Sequence, residues 1–161
     1  MAQVRVCVTV NQTLHELAVD TRVTLVALVR EHLRLTGTHV GCLTGNCGAC
    51  TVELDGAIVK ACCVLAGEVD GGEVRTIESL AGVDDGPHPL QRAFDETQAL
   101  QCGFCTPGMI MCSLALLRET PDPSEDQIRK ALAGNLCRCT GYVSIFRAVS
   151  QAARAMREGE R

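Results

Sequence analysis

Eleven of the 161 residues are cysteines, and eight fall into two sets whose spacing suits an inorganic group. The first set lies in residues 41–50, GCLTGNCGAC, where Cys42, Cys47 and Cys50 follow a C-x4-C-x2-C spacing. A distant fourth thiol is available at Cys62, and spacing alone leaves Cys63 beside it as the alternative. Gly41, Gly45 and Gly48 punctuate the loop, and a residue without a Cβ lets the backbone approach a bound group closely. The second set is Cys102 and Cys105 in QCGFCTPG, then, after 31 residues, Cys137 and Cys139 in GNLCRCTGY. Thr106 is placed to cap a helix and Pro107 suits its first turn. The first pair thus precedes a helix N-terminus, where free N–H groups and the dipole favour thiolate charge. Cys137 and Cys139, two apart, point the same way in an extended segment.

Soft thiolates in fours suit zinc or iron–sulfur clusters. C-x4-C-x2-C with a distant fourth cysteine is the plant-type [2Fe–2S] spacing. Structural zinc sites usually combine two C-x2–4-C pairs, so the C-x-C half of the second set favours a second iron–sulfur cluster. A disulfide scaffold is the rival reading of so many cysteines. The start, MAQVRVCVTV, lacks the basic and apolar stretches of a signal peptide, which predicts a cytoplasmic chain with reduced thiols. No apolar run approaches transmembrane length. A net charge of −4 with no Lys/Arg block argues against nucleic acid as the partner. With 47% hydrophobic residues but only 2% aromatic, the core is expected to be aliphatic. His15, His32, His39 and His88 form no ligand spacing, and nothing resembles an independent catalytic site.

The elements that must position these thiols follow from periodicity. Residues 4–10 and 14–19 read as strands joined by an Asn11-Gln12 turn. Residues 24–35 read as a helix with Thr24 as N-cap and Gly37 past its end. Residues 51–54 and 57–60 flank Asp55-Gly56, a hairpin signal, and 74–77 is a short strand. Residues 81–89, rich in Gly, Asp and Pro, read as a linker. Helices are expected over 90–100, 108–118, 124–133 and 143–156, with Ser124 as an N-cap. The fold class is α+β, with a small unit of strands and one packed helix over 1–80 and a four-helix bundle over 90–161.

GCLTGNCGACTVELDG, LQCGFCTPGMIM and AGNLCRCTGY together resemble the small iron–sulfur subunit of the molybdenum hydroxylases, the xanthine oxidase family. The resemblance covers about residues 3 to 155. It implies a β-grasp domain holding one [2Fe–2S] cluster through Cys42, Cys47, Cys50 and Cys62. A helical domain would hold the other through Cys102, Cys105, Cys137 and Cys139. It also implies that Gln101 and Cys139 face the molybdopterin of a large subunit, and that the first cluster lies toward FAD on a medium subunit. Electrons would pass from molybdenum across both clusters to FAD in a doubled heterotrimer that oxidises CO, an aldehyde or an N-heterocycle. Leu43 and Gly45 stand where some carbon monoxide dehydrogenase relatives carry Asp and Ser, which weighs against CO. The alternative is a freestanding ferredoxin-like shuttle. Cys7, Cys63 and Cys112 read as small packed hydrophobes, Met109, Met111 and Met156 as core or interface filler, and Tyr142 as a packing residue. Arg138 is open between tuning a cluster, facing a partner and simple solvation.

Overall fold

The computed structural model describes residues 2–80 and 86–159. Alternation at the start of the chain builds β1 (Gln3–Val10), whose Val6, Val8 and Val10 are buried. It returns as β2 (Thr13–Asp20) with Val10 opposite Thr13. That register leaves a two-residue turn, and both of its residues are left-handed, Asn11 at φ 48° and Gln12 at φ 68°. This is the turn geometry that matches strand twist. β3 (Thr51–Leu54) and β4 (Ala57–Lys60) pair the same way around Asp55 and Gly56. β5 (Glu73–Arg75) runs parallel to β1 and antiparallel to β3, giving a mixed five-stranded sheet of order β2-β1-β5-β3-β4.

Two expected elements come out differently. The helix expected over 24–35 is a single turn, α1 (Leu25–Ala27), that widens into a π-helical turn at Leu28–His32. Thr24 does cap it, accepting from the Ala27 N–H at 3.4 Å. Beyond it the Arg30 guanidinium donates to the carbonyls of Thr36 and Thr38 at 2.7 and 2.6 Å, drawing the following chain back across the last turn. The strand expected over 74–77 ends at Arg75 because the Asn11 side chain takes the next residue. Asn11 Oδ1 accepts the Thr76 N–H and its Nδ2 donates to Thr76 Oγ1, both at 2.9 Å. Ile77–Leu80 then coils as a 3-10 turn.

Residues 81–85, the first five of the expected linker, lie outside the described residues. Four helices follow: α2 (Pro89–Glu96), α3 (Thr106–Glu119), α4 (Glu125–Leu132) and α5 (Tyr142–Arg157). α2 stops short of residue 100, and Gln98 just beyond it takes a left-handed φ of 51°. Ser124 caps α4 as expected, reciprocally with Gln127. Thr106 does not cap α3; it is the first helical residue, and its buried Oγ1 finds no partner.

Each half has its own core. One gathers Val6, Val8, Leu25, Leu28, Val52 and Val74, the other Leu90, Phe94, Met109, Ile128, Ile145 and Val149. Fully burying such a side chain contributes about 1.5–3 kcal/mol. Residues 108–114 of α3 are buried without a break, as a helix must be when it has neighbours on every side. Those neighbours are β3 and β4 on one flank and α2 and α4 on the other. Among the described residues no helix is long and apolar enough to cross a membrane.

His88 caps α2 through Nδ1, which accepts the Leu90 N–H at 3.2 Å. Only the neutral imidazole can accept there. Burial, then the positive charge of Arg118, Arg75 and Arg92, holds its pKa below the ordinary 6.5. The unfolded chain therefore takes up the proton first as pH falls, so the cap's contribution is complete above 6.5 and drains away below it. The melting temperature is expected to fall between pH 7 and pH 5, and His88→Asn, a non-titrating cap, should flatten that slope. An equal slope in the variant would exclude His88 as its source.

Candidate metal centres

The glycine loop holds its thiols by backbone geometry. Leu43, Gly45 and Gly48 are left-handed, at φ 61°, 76° and 74°. The coiling turns the N–H groups of Thr44 and Cys47 toward Cys42 Sγ, each at 3.4 Å. Hydrogen bonding from Thr44, then from Cys47, holds the Cys42 thiol down at about 6. Cys50 is buried, and burial pushes its thiol up to about 11, with the Cys62 thiol as its neighbour. Cys62 is buried, whereas Cys63 is exposed with its sulfur 3.7 Å from that of Cys62. Cys63 is thus not the packed hydrophobe expected of it.

The second set repeats the arrangement. Cys102 and Cys139 lie with sulfurs 3.5 Å apart, and the Phe104 N–H, then the Cys139 thiol, lower the Cys102 pKa. Cys105 is pushed up to about 12 by burial and then by Cys137. Tyr142 does more than pack, since its hydroxyl accepts the Cys137 N–H at 2.8 Å. Gln101 is exposed and donates from Nε2 to the Cys139 carbonyl at 3.2 Å. Arg138 is exposed.

All eleven cysteines are free thiols, which leaves the disulfide scaffold without support. Among the described residues no three His, Cys, Asp or Glu side chains converge on a single ion. Three thiol pairs are neighbours instead, Cys50 with Cys62, Cys102 with Cys139 and Cys105 with Cys137, while Cys42 Sγ accepts the Cys47 N–H. A mononuclear zinc site needs four ligands around one centre. Two thiols for each of two irons is what a [2Fe–2S] cluster asks of four cysteines. The glycines fit the same group, because a Cβ on Gly41 would come within 2.9 Å of Cys47 Sγ.

The two sets meet. The Leu136 N–H, next to Cys137, donates to the Cys47 carbonyl at 2.8 Å. Asn135, 1% exposed, donates from Nδ2 to the Gly48 carbonyl at 3.2 Å. Its Oδ1 accepts from Lys60 Nζ at 2.8 Å and from the Cys112 thiol at 3.2 Å. Cys112 is therefore buried as expected but also anchors Asn135. Gly108, in the first turn of α3, rests on the Gly48 carbonyl so closely that any Cβ there would collide. His39 stacks on Phe104 with centroids 4.7 Å apart, and its Nδ1 lies 2.8 Å from the Phe104 carbonyl oxygen. A cavity of about 680 Å³ opens between the sets, lined by Gly41, Cys47, Ala49, Cys102, Phe104, Cys105, Leu136, Cys137, Arg138, Thr140 and Tyr142. Asn135 and Lys60 escape a reading of the sequence, because neither is a ligand type nor part of a periodic pattern. Their only signal is adjacency, Asn135 lying two residues before Cys137 and Lys60 two before Cys62.

Comparison with known proteins accounts for both halves. Residues 8–81 match a family described as a 2Fe-2S iron-sulfur cluster binding domain, and residues 76–150 match a [2Fe-2S] binding domain. The chain is 47% identical over 150 residues to the nicotine 6-hydroxylase small subunit of Paenarthrobacter nicotinovorans, covering 93% of this chain and 90% of that one. It is 43% identical over 153 residues to the nicotinate dehydrogenase small FeS subunit of Eubacterium barkeri, covering 94% and 96%. Its fold superposes on a chain of quinoline 2-oxidoreductase from Pseudomonas putida 86 with a TM-score of 0.92, at 40% identity and 99% coverage of both. The protein belongs to the small iron–sulfur subunits of the molybdenum hydroxylases. It is the electron-transfer component of an oxidoreductase complex rather than a freestanding shuttle, and it carries two [2Fe–2S] clusters.

Proposed function

We propose that Cys42, Cys47, Cys50 and Cys62 hold one [2Fe–2S] cluster and that Cys102, Cys105, Cys137 and Cys139 hold the other. The observation that carries this reading is the pairing of thiols within each set, Cys50 with Cys62, Cys102 with Cys139 and Cys105 with Cys137, with Cys42 held by the Cys47 N–H. When bound, the clusters supply one-electron acceptance and release at potentials set by charge, hydrogen bonds to sulfur and exposure. The chain's own residues fix the ligands, exclude water from Cys50, Cys62 and Cys137, and hold the two sites against each other through the Leu136–Cys47 hydrogen bond.

In this reading a large subunit with molybdopterin docks beside Gln101 and Cys139, and a medium subunit with FAD lies nearer the first cluster. Exposed Leu100, Phe104, Leu136 and Val143, at 43–60%, support a covered face around the second set. The two separate cores support a β-grasp unit over 1–80 and a four-helix bundle over 90–161, joined by 81–89, with Leu80 already packed into the helical core. The complex is a cytoplasmic dimer of heterotrimers. Its substrate is an N-heterocycle or an aldehyde, the classes named for its relatives acting on nicotine, nicotinate and quinoline and for similar aldehyde oxidoreductases.

The test is iron analysis and electron paramagnetic resonance of the purified complex. Roughly four irons per chain and two distinct reduced signals are expected. Cys62→Ala should remove one signal, while Cys63→Ala keeps both. Zinc in place of iron, or a single signal in the unaltered protein, would overturn the ligand assignment.

A further inference from the structure

Lys60 ends β4 with its Nζ at the seam between the two cysteine sets. It donates to Thr51 Oγ1 at 3.0 Å, to the Gly134 carbonyl at 3.1 Å and to Asn135 Oδ1 at 2.8 Å. All three acceptors are neutral, and among the described residues no carboxylate lies within ion-pair distance of this ammonium. Thr51 adjoins Cys50, Asn135 lies two residues from Cys137, and Lys60 itself lies two from Cys62. The charge reaches into the interior of the seam, where it opposes the burial that raises the Cys112 thiol. A half-buried ammonium satisfied only by neutral acceptors keeps its net charge, and on its protein side that charge is screened less than in bulk water.

We propose that Lys60 is a positioning residue that raises the reduction potentials of both iron–sulfur sites together, its uncompensated charge lying between them while its three hydrogen bonds fix their separation. A centre held by four thiolates is anionic and gains a further negative charge on reduction, so a nearby cation favours the reduced form at each. This rests on the ligand reading above.

The experiment is a redox titration of the purified complex followed by electron paramagnetic resonance, with iron content measured on every sample. In Lys60→Gln both midpoints should fall by about tenfold in the reduced-to-oxidised ratio at fixed potential, about 59 mV for a one-electron couple. Lys60→Arg, which keeps the charge, should restore both. Should Lys60→Gln fail to load iron, Lys60→Met decides the matter, since it removes the charge while keeping an unbranched stem and leaves Asn135 on the Gly48 carbonyl. It should lower both midpoints. Loaded variants whose midpoints do not move, or move at one site only, overturn the role of Lys60 and leave the ligand assignment standing. An iron-free unaltered complex overturns both.

Discussion

Gly48→Ala is expected to cost the protein about 2–5 kcal/mol and to deplete iron from both cysteine sets. Two penalties coincide at this residue. Its φ of +74° is left-handed, which for an alanine costs of order 1–2 kcal/mol. Its Cβ would also stand 2.5 Å from the Gly134 carbonyl oxygen and 2.6 Å from Asn135 Cγ, backbone and a buried side chain that cannot yield cheaply. Overpacking of this kind adds about 1–3 kcal/mol. Gly56→Ala is the control. It shares the backbone strain at φ +82° but has nothing within 4 Å of its Cβ. Thermal unfolding should show a clearly larger drop for Gly48→Ala, roughly 5–15 °C for a chain of this size. Equal losses in the two variants would mean that the seam between the halves tolerates the extra methyl.

Arg118→Met is expected to destabilise more than Glu53→Gln, although both break the same ion pair. Glu53 on β3 is 5% exposed and meets Arg118 of α3 at 2.5 Å and Arg75 of β5 at 3.7 Å. Both arginines reach partly into solvent, at 39% and 31% side-chain exposure. Removing Arg118 leaves a buried carboxylate with only the more distant Arg75. That is the costly case, about 3 kcal/mol at the low end for a broken buried pair. Removing the carboxylate leaves guanidinium groups that hydrate where they stand, at about 1–2 kcal/mol after solvent screening. Urea denaturation of the two variants reads the difference. Replacing both partners with Leu and Met should recover most of the loss, because no buried charge then remains. A larger cost for Glu53→Gln would show that the carboxylate is not the member shut away from water.

The parts of this molecule legible in its sequence are those where chemistry restricts residue type. Ligand sulfurs must be cysteine, so the two sets stood out and lie together in the fold. Left-handed two-residue turns favour Asn, Asp and Gly, so both hairpins were visible at Asn11 and at Asp55-Gly56. Ser124 with Gln127 spelled out its cap. Illegible was whatever depends on a distant partner. Apolar spacing over 24–35 is the same for an α-helix as for a turn that widens when Arg30 reaches the Thr36 and Thr38 carbonyls. Strand propensity at Thr76 loses to the Asn11 side chain 65 residues away. Thr106 is a good cap by type, but the helix starts one residue too early for it to serve. The seam was hidden altogether, because a buried asparagine looks in sequence like any loop residue.

Asn135 answers at once to Gly48, to Lys60 and to Cys112. Neither half is therefore a free-standing cassette. A chimera that takes residues 1–80 from one relative and the remainder from another inherits a working junction only when positions 48, 60, 112 and 135 come from compatible parents. Four positions, none of them a sulfur ligand, would then set which hybrids assemble with both sites in register.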